Sequence, residues 1–424
     1  MKRTARDKRD LPHPPPVERI ELNEDNSKRR LLFALLMLVI GGAALAYGFW
    51  QLVTPQSGWQ VIEVSSTAGP TFADDFVFLY RLGDTEVSPT AERKAVSEIY
   101  TQLCRDAYEQ FHNEESFEGV SNLYAVNRHP NEELTVGKAL YDALSAVEAS
   151  GSRYIYLGPV YDRYEGVFYC TDDFQLADFD PYTNAEIAKE YAAYASYARD
   201  PAQVQVELLG GNRVCLRVSE EYLSYAQREG IDTFIEFSWM RNAFIADYIA
   251  SGLTAQGYTS GVLSTYDGFV RNLDTADLDY SLQLYALYNG TVYPSGLMQY
   301  RGPLSAVNLR DYPVSEADEV RFYRLRTGEL RTPYVDLTDG LTRTAAHELT
   351  CYAQDKTCGE LLLSALPVYI ADDLDVEALS ALASQGIATL RCEDAVLYPS
   401  DADIVVTELF ADDTVRFTVS QAGK

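Results

Sequence analysis

An α+β domain built mainly from antiparallel sheets with packed helices follows from three features of the sequence. Helical and hairpin segments alternate irregularly instead of repeating as strand and crossover helix, hairpin turns recur late in the chain, and amphipathic helices stand between them. A single transmembrane helix is expected to precede that domain. Leu31 to Trp50 carries no charge over twenty residues, which at helical rise spans roughly 30 Å, the thickness of a bilayer's hydrocarbon core. Lys28-Arg29-Arg30 lies directly before it and no basic residue follows until Arg81, so the N-terminus is expected in the cytoplasm and the rest outside. Ala44-Leu45-Ala46 has the small-x-small form of a cleavage site, but the long polar leader favours an uncleaved anchor.

These signals divide the chain into a disordered cytoplasmic tail (1–30), the anchor (31–50), a polar tether (51–69) and one elaborated extracytoplasmic domain (70–424) with no obvious internal linker. Charge excludes one class of partner. Beyond residue 30 there are 26 basic against 57 acidic residues, a net of -31, and such a surface repels nucleic acid.

Within the domain, Val96, Tyr100, Leu103, Ala107 and Phe111 place an amphipathic helix over Glu92 to His112. A second helix runs from Gly137 to Ala149, and Val204 to Leu209 turns at Gly210-Gly211-Asn212 into Val214 to Val218 as a hairpin with period-two alternation. From Trp239 to Gln256 apolar residues recur at helical spacing, with Gly257 as the stop. Asp247 interrupts that surface, and a carboxylate there must be paired, hydrogen-bonded or near a metal. Gly261 to Tyr266 is a short strand leading into Asp267-Gly268, a tight turn that brings backbone N–H groups close to a ligand. Asn289-Gly290 is the strongest hairpin turn, followed by Thr327-Gly328 and Asp412-Asp413.

Other constellations carry less. His347-Glu348-Leu349-Thr350-Cys351 starts like a zinc-protease helix but lacks the second histidine and reads as a strand. The six cysteines are spaced for neither a disulfide scaffold nor a zinc cluster, so buried thiols or one or two bridges are equally admissible. Acidic loops around Asp172 to Asp180 and Asp274 to Asp279 lack the twelve-residue calcium pattern and read as solvated. The 31 tyrosines are explained by core and interface packing.

The stretch from Ile235 to Leu273 resembles the central signature of the FAD:protein FMN transferase (ApbE-like) family, Asp-Leu-Gly-Gly-Ile-Ala-Lys-Gly-Tyr-Ala-x-Asp followed by helix, strand and Gly-Gly-Asp. Glu236-Phe237 stand for the Asp-Leu, Ala246-Asp247 for the Ala-Asp and Asp267-Gly268 for the later glycine pair, while Ser238-Trp239 replace the Gly-Gly, and Arg241, Asn242 and Ala243 replace Ala-Lys-Gly. Ser121 to Asn127 looks like the family's Ser-x-Ile-x-x-Leu-Asn, and Gly359 to Leu366 like its metal-binding Ala-Asp-Ala-Leu-Ser-Thr-Ala-Leu. Pro333 to Gly340 aligns with His-Ile-x-Asp-Pro-x-Thr-Gly, keeping Asp336 and Gly340 but losing the histidine, and Ala73-Asp74-Asp75 stands where the family has Met-Gly-Thr.

The resemblance covers roughly residues 70 to 410. It implies FAD as substrate or ligand, Mg²⁺, and an extracytoplasmic or membrane redox protein as flavin acceptor on Ser or Thr. Carried over residue by residue, it assigns Ser121, Asn127, Asp247, Asp267 and Gly268 to cofactor binding and Glu360 and Ser364 to the metal. It assigns no catalytic residue, because Asn242 removes a cation and Pro333 a proton carrier. The expectation is a membrane-anchored protein of this kind with weak or lost catalysis. The alternative is a non-enzymatic flavin-binding or protein-interaction module.

Overall fold

A computed structural model of the chain describes residues 57–67, 69–276 and 278–420. The tail, the anchor and most of the tether lie outside the described residues. The last part of the tether is structured: Gly58–Val61 forms β1, because Trp59 and Val61 alternate onto one face and the strand pairs antiparallel with β2 (Phe76–Leu82). Trp59 is 40% exposed.

The chain continues through α1 (Pro89–Phe111), α2 (Leu123–Arg128), β3 (Glu133–Thr135), α3 (Lys138–Ser150), α4 (Gly158–Tyr164) and α5 (Ala185–Arg199). There follow the hairpin β4 (Val204–Gly210) and β5 (Arg213–Val218), α6 (Glu220–Glu229), and α7 (Arg241–Ala255). Next come β6 (Gly261–Thr265), β7 (Phe269–Asn272), β8 (Asp279–Tyr288), β9 (Thr291–Arg301), β10 (Leu304–Arg310), the short α8 (Glu316–Glu319), and the two-residue strands β11 (Tyr323–Arg324) and β12 (Leu330–Arg331). The last elements are β13 (Glu348–Ala353), α9 (Cys358–Tyr369), α10 (Val376–Ser384), β14 (Ala388–Glu393), β15 (Val396–Pro399), β16 (Val405–Thr407) and β17 (Thr418–Val419).

Nine strands make the main sheet, in the order β1-β2-β6-β7-β10-β13-β14-β15-β17, antiparallel throughout except for the final β15–β17 pair. The α+β reading therefore holds. Helices α1, α7 and α9 lie on one face with α3 packed against them, and together they form the large core with β2, β6, β10 and β13. The β8–β9 hairpin with β16 covers part of the other face over a smaller core of Val270, Leu284, Met298 and Leu390. Asn289 and Gly290 both adopt positive φ, 51° and 78°, as a two-residue hairpin turn requires. The strand expected around His347 is β13, and the six cysteines are free.

Helix α1 is fixed at its start by the Ser88 hydroxyl, which accepts from the Ala91 N–H, with Pro89 at the first turn. It buries Val96, Tyr100, Cys104, Ala107 and Phe111, so Cys104 takes the core position expected for Leu103. Asn127, at the end of α2, is buried and clamps a segment more than a hundred residues away. Its Oδ1 accepts from the N–H groups of Phe234 (2.9 Å) and Ile235 (3.0 Å), and its Nδ2 donates to the Ile235 carbonyl at 2.9 Å. That clamp sets the entry of the chain into Glu236 and α7. Asn127→Ala leaves three buried backbone groups without partners and is expected to lower unfolding stability by about 2–4 kcal/mol, read from the denaturation midpoint.

Candidate functional site

Where α7 begins, the chain makes a short 3-10 turn over Ser238–Met240 before the helix proper. Ser238 adopts a φ of 47°, the left-handed region that favours glycine, at the position where the resembled signature has Gly-Gly. Glu236 accepts the Ser238 N–H at 2.8 Å through Oε1, stabilising this turn.

The turn opens onto a cleft of about 440 Å³. Its walls include Asp75 ahead of β2, Glu236, Ser238 and Trp239 at the start of α7, Arg241 in its first turn, Tyr266 in the β6–β7 turn, Arg321 after α8, and Pro333. Residues separated by as many as 258 positions therefore converge here, and most stand at positions of the eroded family motifs.

Next to the cleft, Asn242 organises a polar network that includes Asp75. Its Nδ2 donates to Asp75 Oδ2 and to Asp267 Oδ2, both at 3.1 Å. Arg321 pairs with Asp267, and Arg241 lies 3.5 Å from Asp75 with its guanidinium 3.7 Å from the centre of the Phe72 ring. Burial lowers the pKa of Arg241, whereas for Arg321 burial is outweighed by Asp267, Asp75 and Asp318 together, which raise it. Both stay charged, since arginine begins from a value above 12. Asp267 Oδ1, Asn242 Oδ1 and Arg241 Nε have no hydrogen-bond partner among the described residues.

Glu236 is the second polar element of the cleft. It is 5% exposed, and Oε2 has Asn113 near it but no hydrogen bond of good geometry. Burial pushes its carboxyl from the ordinary 4.5 up to about 7, with the Ser238 N–H and Arg241 pulling the other way.

The structure divides the expected site residues into separate places. Asp267 belongs to the cluster on Asn242. Gly268 is structural: its φ is 103°, its carbonyl accepts from Asn308 N (2.9 Å) and Nδ2 (3.0 Å), and a Cβ there would stand 2.5 Å from the Asn308 carbonyl oxygen. Its N–H closes the turn onto Thr265 instead of facing a ligand. Ser121 is half-buried, bridged to Val136, and Asn127 is the clamp described above; neither lines the cleft.

Asp247 lies further along α7 and caps α9. Its two oxygens accept from Cys358 N (2.9 Å) and Gly359 N (2.7 Å), with Arg271 Nε at 3.4 Å. Glu360 is exposed and closes a reciprocal cap, accepting from Thr357 N at 2.8 Å while Thr357 Oγ1 accepts from Glu360 N at 3.2 Å. Ser364 is half-buried one turn later. Among the described residues no group of three or more His, Cys, Asp or Glu side chains is arranged to hold a metal. A carboxylate engaged in its own helix cap plus one hydroxyl does not fit magnesium's demand for octahedral oxygen ligands, and no chemical step is assigned to a metal here.

Trp239, Phe168 and Tyr169 give the cleft aromatic walls, and Arg241 and Arg321 stand among the carboxylates of Asp75, Glu114, Asp162, Glu165 and Glu236. Arg321 had no signal in the sequence, because it follows a four-residue helix in a stretch without motif or periodicity.

No family model matches the chain, and no curated protein matches it. Solved structures do. The ApbE protein of Thermotoga maritima aligns with a TM-score of 0.51 and 12% identity over 83% of this chain and 97% of that one. The flavin transferase ApbE of Vibrio cholerae aligns with a TM-score of 0.50 and 12% identity over 83% and 98%. Its H257G mutant gives the same score over 84% and 98%. At this identity the likeness defines the fold: the chain has the fold of the ApbE flavin transferases.

Glu236 and Glu348 give the domain a distinct pH response. Each carboxyl is raised to about 7, chiefly by burial, and so holds its proton in the folded state at pH values where the unfolded chain has lost it. The contribution of these two groups to stability is greatest below the ordinary 4.5 and falls as pH rises to about 7, by roughly 3 kcal/mol per group. Glu236→Gln is expected to remove one of these two contributions, measured as a shallower fall in denaturation midpoint between pH 4.5 and 7.

Proposed function

We propose that this protein is a divergent ApbE-like flavin-nucleotide protein, held at the outer face of a cell membrane by residues 31–50, that binds FAD in the cleft with FMN transfer weak or lost. The observation that carries this reading is convergence. Asp75, Glu236, Ser238, Arg241 and Pro333, which stand at separate motifs of the resembled family, line one cleft in a chain of that fold, with Asn242 bonded to Asp75 and Asp267 next to it.

Two changes support weakened chemistry. Transfer would break the FAD pyrophosphate, join the FMN phosphorus to an acceptor hydroxyl and release AMP, so it needs stabilised phosphate charge and a group to take the hydroxyl proton. At the lysine position Asn242 is neutral and holds two carboxylates together. At the histidine position Pro333 lines the cleft and carries no proton. Arg241 and Arg321 retain positive charge for the nucleotide's phosphates, while each also neutralises a carboxylate. The acceptor, where transfer survives, would be a Ser- or Thr-bearing membrane or extracytoplasmic redox protein.

The test is FAD retention by residues 57–424 on gel filtration, alongside AMP release with added magnesium and a Ser/Thr peptide. Stoichiometric yellow protein is expected, with retention weakened about tenfold or more by Arg321→Ala and AMP release at the no-protein background. A colourless protein defeats the flavin reading. AMP release that disappears with Glu360→Ala defeats the assignment of lost catalysis.

A further inference from the structure

A second concavity shares no lining residue with the cleft. It is a groove of about 1030 Å³ between the β10, β13 and β14 part of the main sheet and the β9–β16 pair. Leu304, Ala388 and Ile404 contribute apolar surface, and Asp355, Asp401 and Asp403 contribute carboxylates. Asp279, also in the groove, is paired with Arg301 at 2.8 Å, but the other three aspartates have no basic partner among the described residues.

Acidic grooves are commonly just hydrated. Here a buried group argues otherwise. Tyr352 lines the groove at 3% exposure, and its hydroxyl has no hydrogen-bond partner among the described residues. Native structures seldom leave a buried hydroxyl unsatisfied. Burial and then the nearby Asp401 carboxylate raise the pKa of that phenol, so it is a neutral O–H facing a negative charge. Asp401 uses Oδ1 to accept the Asp403 N–H at 2.9 Å, and Oδ2 is left for something else.

We infer that this groove binds a protonated amine carried on an aliphatic chain, with the ammonium between Asp401 and the Tyr352 hydroxyl and the methylenes along Leu304, Ala388 and Ile404. An ammonium has three donors and no acceptor, matching a carboxylate oxygen and a phenolic oxygen. Its stem covers apolar surface as lysine stems do. Guanidinium groups are less suited, since the two acceptors come from separate side chains and offer no planar bidentate partner. A free polyamine and a lysine side chain of a partner protein present this same chemistry.

The chain's net charge of -28 would attract any polycation diffusely, so the decisive variant alters no charge. Titrations of spermidine and of an acetylated trilysine peptide against the full chain in non-ionic detergent, at 150 mM salt, separate the two sources by which probe binds more tightly. With the preferred probe, Tyr352→Phe is expected to weaken binding about fivefold and Asp401→Asn about tenfold. Thermal unfolding should be unchanged or raised in Tyr352→Phe, because the hydroxyl it removes bonds to nothing in the protein. Binding of both probes at equal strength to wild type and Tyr352→Phe, or to neither, would overturn the assignment.

Discussion

Two carboxylates, Asp75 and Asp267, reach the same point from neighbouring elements of the sheet, and Asn242 keeps them there. An amide nitrogen with two hydrogens can donate once to each, at 3.1 Å, without adding charge. Arg241 and Arg321 complete the neutralisation from opposite directions in the sequence. The start of α7, the entry to β2, the β6–β7 turn and the segment after α8 are thereby held in one arrangement. The shape of the cleft follows from that arrangement, as does the inward position of Glu236. A lysine at position 242 would carry a third cation beside Arg241 and Arg321, so a neutral amide there suits the two arginines.

Much of this fold was legible because its elements announce themselves locally. Helix α1 follows from spacing, β4–β5 and β8–β9 from turn chemistry, and β13 from the absence of helical periodicity after His347. Pairing order was not legible, since β2 lies beside β6 across nearly two hundred residues and no local signal encodes that partner. The site was legible in proportion to its backbone. Ser238 and Gly268, both singled out in the sequence, adopt positive φ values of 47° and 103° at their turns. Side-chain roles were less so. Asp247 looked like a ligand-facing acid because sequence shows only that a buried carboxylate needs partners; the structure supplies the N–H groups of α9. Glu360 likewise matched a metal ligand by type, yet its three-residue spacing from Thr357 is also that of a reciprocal helix cap, and that bond is the one formed.

The two faces of the main sheet carry different chemistry. Behind the helices, the cleft combines aromatic walls with two arginines set among five carboxylates. Beneath the β8–β9 hairpin, the groove has unbalanced negative charge over an apolar base.

Both borders of the nine-stranded sheet are short. β1 has four residues and β17 only two, so little unpaired backbone faces outward at either margin. Trp59 at the first margin is further occupied by edge-on contact with Tyr280, ring centres 6.0 Å apart. A broad, apolar-cored sheet of this kind is otherwise a template for strand-by-strand polymerisation between molecules. Among the described residues the outer strands offer four positions at β1 and two at β17, a small surface for such growth.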